Sequence, residues 1–316
     1  MNILVTGAGG PAGVGTIKAL KETHFVVAVD SNNLAPGLYL AQKGYVVPSA
    51  GDSKFIPKIL EICDKENVSL IIPTVSEELL PFSKKMQMFN KKGVKVAVSS
   101  QASIEVANDK LKTYDFFKGE SFCPEVYSEL NPKFPCVVKP INSRGSRGFY
   151  ICENSADLKV ALEKNRRNGY QSVVMELLKG TEYSIYGLSD LSGQPLVCVI
   201  NKRIRALGES KVAKIVLSPE LEDLAAQIAG KLNLVGSWNV QLMGYNCFFK
   251  LVEVNPRVAG SLSLVEASGL KYVDLLIKIF TGGKIKPSEL RFKPGIIMTR
   301  YNEEFFLNPE AVIHVA

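Results

Sequence analysis

Two histidines, His24 and His314, are all that a chain of 316 residues carries. That nearly removes histidine triads and histidine-built metal sites from contention. The cysteines (Cys63, Cys123, Cys136, Cys152, Cys198 and Cys247) are widely spaced and form no C-x-x-C pair. Neither a disulfide framework nor a structural zinc site is suggested, and reduced thiols in a cytosol fit best. No apolar stretch is long enough to span a bilayer, and no basic leader with a long apolar segment precedes the first strand. The expectation is a cytoplasmic protein, neither exported nor embedded in a membrane. Concentrated positive charge is missing too. The 38 Lys and Arg outnumber the 31 Asp and Glu, yet they are dispersed, with only doublets such as Lys84-Lys85 and Arg166-Arg167. A nucleic-acid stripe is denser than that, whereas a modest excess suits a small ligand bearing phosphate.

Apolar residues make up 46% of the chain, enough for the two or three domains its length implies. The opening reads as strand, glycine turn, helix and strand: Ile3 to Thr6, Gly7 to Gly10, about Ala12 to Lys21, then Val26 to Asp30. That is how a doubly wound α/β unit begins. Helical spacing over 53–66, a short strand from Val68 to Pro73, a helix from Glu77 to Asn90 and a strand from Val94 to Val98 extend it to about residue 105. A compact α+β piece follows, with a helix from Asn108 to Phe117, strands at 136–139, 149–152 and 172–176, and a helix over 155–165. The last section holds strands near 182–189, 196–203 and 212–217, a helix from Pro219 to Leu232, a strand pair around Gln241 and Glu253, and a helix over 262–280 ended by Gly282-Gly283.

Chemistry is concentrated in a few segments. In Leu-Val-Glu-Val-Asn-Pro-Arg, residues 251–257, alternation puts Glu253 and Asn255 on one face of a strand, and Pro256 and Arg257 take the chain out of the sheet. Oxygen ligands beside a cation suit magnesium holding a polyphosphate. Taken alone, the segment is slightly better explained as a strand with one wet face, and the segments that follow reverse the balance. Lys139 ends the strand before a loop of glycine, serine and arginine, Ser143, Arg144, Gly145, Ser146, Arg147 and Gly148. Backbone amides, hydroxyls and guanidinium groups there can fold over phosphate oxygens. The loop is no Walker A motif, since no Gly-Lys-Ser/Thr follows its glycines. Glu176-Leu177-Leu178 and Glu182 bracket a segment able to offer an adenine slot and a ribose carboxylate. Gln241 completes the oxygen cage only if it shares a face with Glu253, which a hairpin loop with an odd number of residues would provide.

In order, spacing and residue types these segments resemble the ATP-grasp superfamily, most nearly the group around the large subunit of carbamoyl-phosphate synthase. The resemblance covers nearly the whole chain. It implies an α/β protein with an N-terminal Rossmann-like (pre-ATP-grasp) domain, residues 1–107, followed by an α+β ATP-grasp fold of two subdomains, a small lid at 108–180 and a larger piece at 181–316 bearing the metal site. The implied activity is an ATP-dependent ligase that phosphorylates a small carboxylate and passes the acyl group to an amine, or to a thiol, releasing ADP and phosphate. Carried onto this chain, the resemblance makes Lys110 and Lys139 phosphate-binding, Ser143, Arg144, Gly145, Ser146 and Gly148 the flap, Glu176, Leu177 and Leu178 the adenine hinge, and Glu182 the ribose carboxylate. Gln241, Glu253 and Asn255 become ligands for Mg2+ (or Mn2+), and Arg257 is expected near the transferred phosphoryl group or the acyl phosphate; with Lys139 and Arg203 it makes up the expected catalytic set. Phosphoryl transfer needs positioning and charge neutralisation more than a general base. A homodimer is carried by analogy alone.

Two alternatives stay open. Gly7, Gly9, Gly13 and Asp30 approximate a dinucleotide fingerprint, though Pro11 breaks its strict spacing, so an NAD(P)-dependent oxidoreductase is one. A non-catalytic ATP-binding regulatory protein is the other. Arg203 and Arg205, on one strand face, and the loop Val258 to Ser263 are the expected substrate contacts; Lys202 reads better as a solvated charge.

Overall fold

The computed structural model describes residues 1–142, 147–207, 209–245 and 248–313. Its first sheet is parallel. Strands β1 (Asn2–Thr6), β2 (Phe25–Asp30), β3 (Lys43–Val46), β4 (Leu70–Ile72) and β5 (Lys95–Val96) lie in the order β3-β2-β1-β4-β5. Buried runs such as Ile3-Leu4-Val5 are continuous because helices cover both faces. Those helices are α1 (Pro11–Leu20), α2 (Gly37–Leu40), α3 (Phe55–Lys65), α4 (Ser76–Lys84) and α5 (Met86–Lys91). The turn between β1 and α1 requires its glycines. Gly7 has φ +63°, and a Cβ on Gly13 would lie 2.1 Å from the Gly7 carbonyl oxygen. The single helix expected over 77–90 is two, because Lys85 leaves the helical region at φ −110°, ψ 12°.

Helices α6 (Gln101–Ala107) and α7 (Lys110–Phe116) lead to a small antiparallel sheet. Its strands β6 (Val126–Tyr127), β7 (Cys136–Pro140), β8 (Tyr150–Cys152) and β9 (Ser172–Glu176) run in the order β6-β9-β7-β8 and carry α8 (Ser155–Arg167) on one face.

The largest sheet is antiparallel and six-stranded, ordered β14-β13-β10-β11-β12-β15. It is built from β10 (Thr181–Ser189), β11 (Pro195–Leu207), β12 (Glu209–Val216), β13 (Gly236–Tyr245), β14 (Phe248–Asn255) and β15 (Ile297–Thr299). One face is closed by α9 (Pro219–Lys231), whose Leu221, Ala225 and Ile228 pack with Trp238 and Val240. Here Trp238 lies over its register partner Gly187, where a Cβ would sit 2.0 Å from the ring, and its Nε1 donates to Ser189 Oγ at 2.8 Å. The long helix expected over 262–280 is α10 (Leu262–Ala267) and α11 (Tyr272–Thr281). Gly269, at φ +92°, breaks it, and Gly282 at φ +76° caps the second piece.

The parallel unit and the large sheet share one core. Ile17 and Leu20 of α1 pack with Leu262, Val265, Leu276 and the inner face of β10 to β12, at Tyr186, Val199 and Ile215. Ser99 Oγ spans the same junction, accepting from Val235 N at 2.9 Å. Side chains of both units thereby line one cleft.

Candidate functional site

The floor of the cleft is the part of the β10, β11, β13 and β14 face turned away from α9 that lies beyond the packing with α1, α10 and α11. Tyr245 pairs with Phe248, so two residues, 246 and 247, separate the paired ends, an even number that alone would turn Gln241 and Glu253 apart. The odd residue expected in the loop is found in the strand. Leu242 pairs with Leu251 and Gln241 with Glu253, which leaves Val252 extra. This β-bulge restores the common face, and Asn239 opposite Asn255 continues it. Asn255 Nδ2 donates to Glu253 Oε1 at 2.9 Å, and Asn239 Nδ2 donates to Ser184 Oγ at 2.9 Å, so the amides are fixed.

Two lysines reach this floor from different elements. Lys110 opens α7, where the Asp109 carboxylate accepts from the amides of Leu111 and Lys112. Its Nζ stands 3.4 Å from Glu253 Oε2. Lys139, at the end of β7, is only 7% exposed. Its Nζ donates to the Tyr114 hydroxyl at 2.7 Å and to the carbonyl of bulged Val252 at 3.2 Å. Burial, reinforced by neighbouring Lys110, brings the Lys139 ammonium down to about 7. Burial acts on Glu253 in the opposite sense, but Lys110, the Asn255 hydrogen bond, Lys139 and Arg257 outweigh it and hold its carboxyl below the usual range. The site thus favours an anionic Glu253 and stays receptive to added negative charge.

Glu182 and Arg203 form an ion pair between β10 and β11, their side chains 23% and 9% exposed. Burial raises the Glu182 carboxyl, with Arg203 opposing. Arg203 and Arg205 do not share a face, contrary to strict alternation. Arg203 pairs with Ala213 and Arg205 with Val212, so a bulge at Ile204 sends Arg205 outward. At the far end Glu176 closes β9, its Oε1 accepting from Glu125 N at 2.8 Å, and half-buried Leu177 and Leu178 pack on the α9 core. Within the expected flap, Ser143, Arg144, Gly145 and Ser146 lie outside the described residues. Gly148 is anchored at φ +70° with its carbonyl accepting from Asn165 Nδ2 at 2.9 Å, and Arg147 lines the cleft.

A cavity of about 900 Å³ joins this floor to the N-terminal glycine turn. Gly9, Gly10 and Pro11 line one wall with Glu77 and Glu78, while Gln241, Glu253, Asn255 and Arg257 line the other. Arg257 bridges the two, its Nε donating to Ser76 Oγ at 2.8 Å and its Nη2 to Asn255 Oδ1 at 3.1 Å. Asp30, the residue a dinucleotide reading would use for a ribose, holds the turn instead. Its Oδ2 accepts from Gly9 N at 2.8 Å and its Oδ1 from Asn32 N at 2.9 Å. Nothing in this geometry favours a dehydrogenase.

Among the described residues no group of three or more His, Cys, Asp or Glu could hold a metal by itself. One carboxylate with the amide oxygens of Gln241 and Asn255 is nonetheless an all-oxygen donor set, suited to a hard cation that takes its other ligands from phosphate and water. Sequence reading did not single out Tyr114, Asn239 or Ser76. Tyr114 had a usable signal, since it lies four residues after Lys110 on one helix face. Ser76 had none.

The chain is similar to known proteins over much of its length. Residues 3–97 match the family model "PylC-like, N-terminal domain", and residues 170–304 match "ATP-grasp in the biosynthetic pathway with Ter operon". The carbamoyl phosphate synthase large chain of Thermoplasma volcanium is 27% identical over 296 residues, covering 83% of this chain and 28% of that protein. This chain therefore spans little more than a quarter of that relative. The formate-dependent phosphoribosylglycinamide formyltransferase of Bacteroides fragilis is 22% identical over 307 residues, 89% of this chain and 77% of that protein. Among solved structures, Campylobacter jejuni biotin carboxylase superposes with TM-score 0.74 at 16% identity, over 92% of this chain and 73% of its own. Staphylococcus aureus N5-carboxyaminoimidazole synthetase complexed with ADP gives 0.72 at 15%, over 90% and 78%. No helix among the described residues is long and apolar enough to cross a membrane.

Proposed function

We infer that this chain, an ATP-grasp protein with a PylC-like N-terminal domain, is an ATP-dependent ligase joining a small carboxylate to an amine. The observation that carries the reading is the bulge at Val252, which gathers Gln241, Glu253 and Asn255 on one face beneath Lys110 and Lys139. Three pieces divide the work: residues 1–107 as the N-terminal domain, 108–180 as the lid and 181–316 as the larger subdomain.

In this reading the nucleotide lies between the small and large sheets. Leu177 and Leu178 flank the adenine with Glu176 at its edge, and Glu182 takes the ribose hydroxyls. Lys110 and Lys139 neutralise phosphate oxygens, and the 143–148 loop covers them. Gln241, Glu253 and Asn255 would hold Mg2+ (or Mn2+), which supplies charge neutralisation on the triphosphate when bound. A carboxylate oxygen of the acyl substrate attacks the γ-phosphorus and the bond to the β-phosphate oxygen breaks, giving ADP and an acyl phosphate. Arg257, fixed by Ser76 and Asn255, stabilises the charge passing between them. The amine nitrogen then attacks the acyl carbon, phosphate departs, and the nitrogen loses its proton. Substrates enter through the 900 Å³ cavity, whose lining includes the glycine turn, Glu77 and Glu78 as well as Arg147, Arg203 and Arg257. A cytoplasmic setting and small-molecule substrates follow from the same reading.

Pairs of small acids and amines, screened for phosphate release with mass spectrometry of the product, test it. The expected result is ADP, phosphate and product in equal amounts only when both partners are present, with hydroxylamine trapping the acyl phosphate as a hydroxamate. Failure of the protein to bind a nonhydrolysable ATP analogue with magnesium would remove the reading.

A further inference from the structure

We propose that Tyr114 is the positioning residue of the phosphate site: its hydroxyl fastens Lys139 to the strand bulge that brings Glu253 opposite Gln241. The proposal rests on the ligase reading above.

Three parts of the chain meet at this one phenol. Tyr114 sits on α7, four residues after Lys110, Lys139 ends a strand of the small sheet, and Val252 belongs to the large sheet. Only 2% of Tyr114 is exposed, and its hydroxyl donates to the Val252 carbonyl at 2.6 Å while accepting from Lys139 Nζ at 2.7 Å. The ammonium also donates to the same carbonyl at 3.2 Å and lies 5.2 Å from the centroid of the Tyr114 ring. A bulge takes one residue out of the ladder, and its backbone groups must find other partners or bear the cost of burial. For Val252 the partners of the carbonyl are the phenol and the lysine. The contacts thereby tie the lysine expected on the phosphates to the backbone beside the carboxylate expected on the metal. A phenyl ring at 114 would fill the same volume and lose both hydrogen bonds.

The discriminating variant is Tyr114→Phe, compared with wild type for binding of a nonhydrolysable ATP analogue with and without magnesium, binding of adenosine, and steady-state turnover. The expected result is a KM for Mg·ATP raised about tenfold, as for loss of a hydrogen bond to a charged group. Half-saturation by magnesium should rise with it, while kcat changes less than threefold and adenosine affinity stays within twofold. Unchanged Mg·ATP binding, or an equal loss of adenosine binding, would overturn the proposal. Tyrosine site-specifically labelled with 13C at Cζ in the otherwise unaltered chain provides a readout independent of the variant's folding. The 114 resonance should move on adding the Mg·ATP analogue and stay still with adenosine, and a resonance indifferent to both would equally overturn it. If wild type itself fails to bind Mg·ATP, the ligase reading falls; if wild type binds and Tyr114→Phe matches it, only the positioning role falls.

Discussion

Gln241 and Glu253 stand directly opposite each other because Val252, one residue before the glutamate, is extruded from the ladder. Side chains alternate along a strand, so the unbulged register set by Tyr245 and Phe248 would have turned Glu253 to the α9 side, among Val240 and Trp238. The site carries one carboxylate and one amide at this pair. Gln241→Glu adds a charge at a position already aimed at the donor set, so half-saturating magnesium in ATP turnover should fall several-fold. Without divalent cation the paired carboxylates repel, and the melting temperature should drop by a few degrees, then recover when magnesium and nucleotide are added. A magnesium requirement unchanged by the substitution would argue against Gln241 as a ligand.

Glu253→Gln tests the other half. Lys110 and Lys139 would lose the carboxylate that faces them, and the proposed donor set of Gln241, Glu253 and Asn255 would lose its one charge. Turnover at saturating ATP should fall at least a hundredfold, on the order of 3 kcal/mol of transition-state stabilisation. Adenosine affinity should be nearly untouched, which equilibrium dialysis can check.

Glu182 is held by Arg203, and burial already lifts its carboxyl. In Arg203→Met the opposing charge is gone and the carboxyl titrates higher still, so more of it is protonated at neutral pH. A protonated carboxyl accepts poorly from ribose hydroxyls. Nucleoside affinity should therefore fall more at pH 6 than at pH 8, and a loss equal at both would place Glu182 away from the ribose.

Most of this architecture was legible in the chain because local pattern and local chemistry agree. The continuous apolar strands of the parallel sheet, the glycine turn before α1 and the Gly282 cap depend on near neighbours alone. What was misread depends on contacts distant in sequence or on a single extra residue. Gly269 could have been tolerated inside a helix, and only docking of α10 and α11 against α1 makes a break there favourable. Alternation could assign Glu253 and Asn255 to one face but could not count a bulge at Val252, nor the one at Ile204 that parts Arg203 from Arg205. The pairing of Glu182 with Arg203 joins residues on different strands that sequence reading had given separate tasks, and Ser76 reaches Arg257 from 181 positions away.

Gly187→Ala probes the large sheet apart from its chemistry. A Cβ there would lie 2.0 Å from Trp238 Cζ2, and the ring is fully buried with its Nε1 held by Ser189. The indole cannot withdraw without opening the α9 core. Urea denaturation should show a loss of about 3 kcal/mol or more. A loss below about 1 kcal/mol would mean that the strand pair yields more readily than its packing implies.

Lys139 makes the site sensitive to pH in a defined sense. In the empty protein its ammonium is brought down to about 7, far below the ordinary lysine value of 10.5. Between about pH 7 and pH 10 the unfolded chain therefore binds the extra proton, so this group's contribution to stability rises with pH across that window and its full penalty applies below it. Nucleotide reverses the preference, because phosphate charge beside Nζ favours the ammonium. Binding of the ATP analogue at pH 8 should thus take up close to one proton, read by calorimetry in buffers of different ionisation enthalpy. Lys139→Met should abolish that uptake and weaken binding, with adenosine binding unaffected. Uptake that persisted in Lys139→Met would assign the proton to another group and would show that the buried ammonium does not meet the triphosphate.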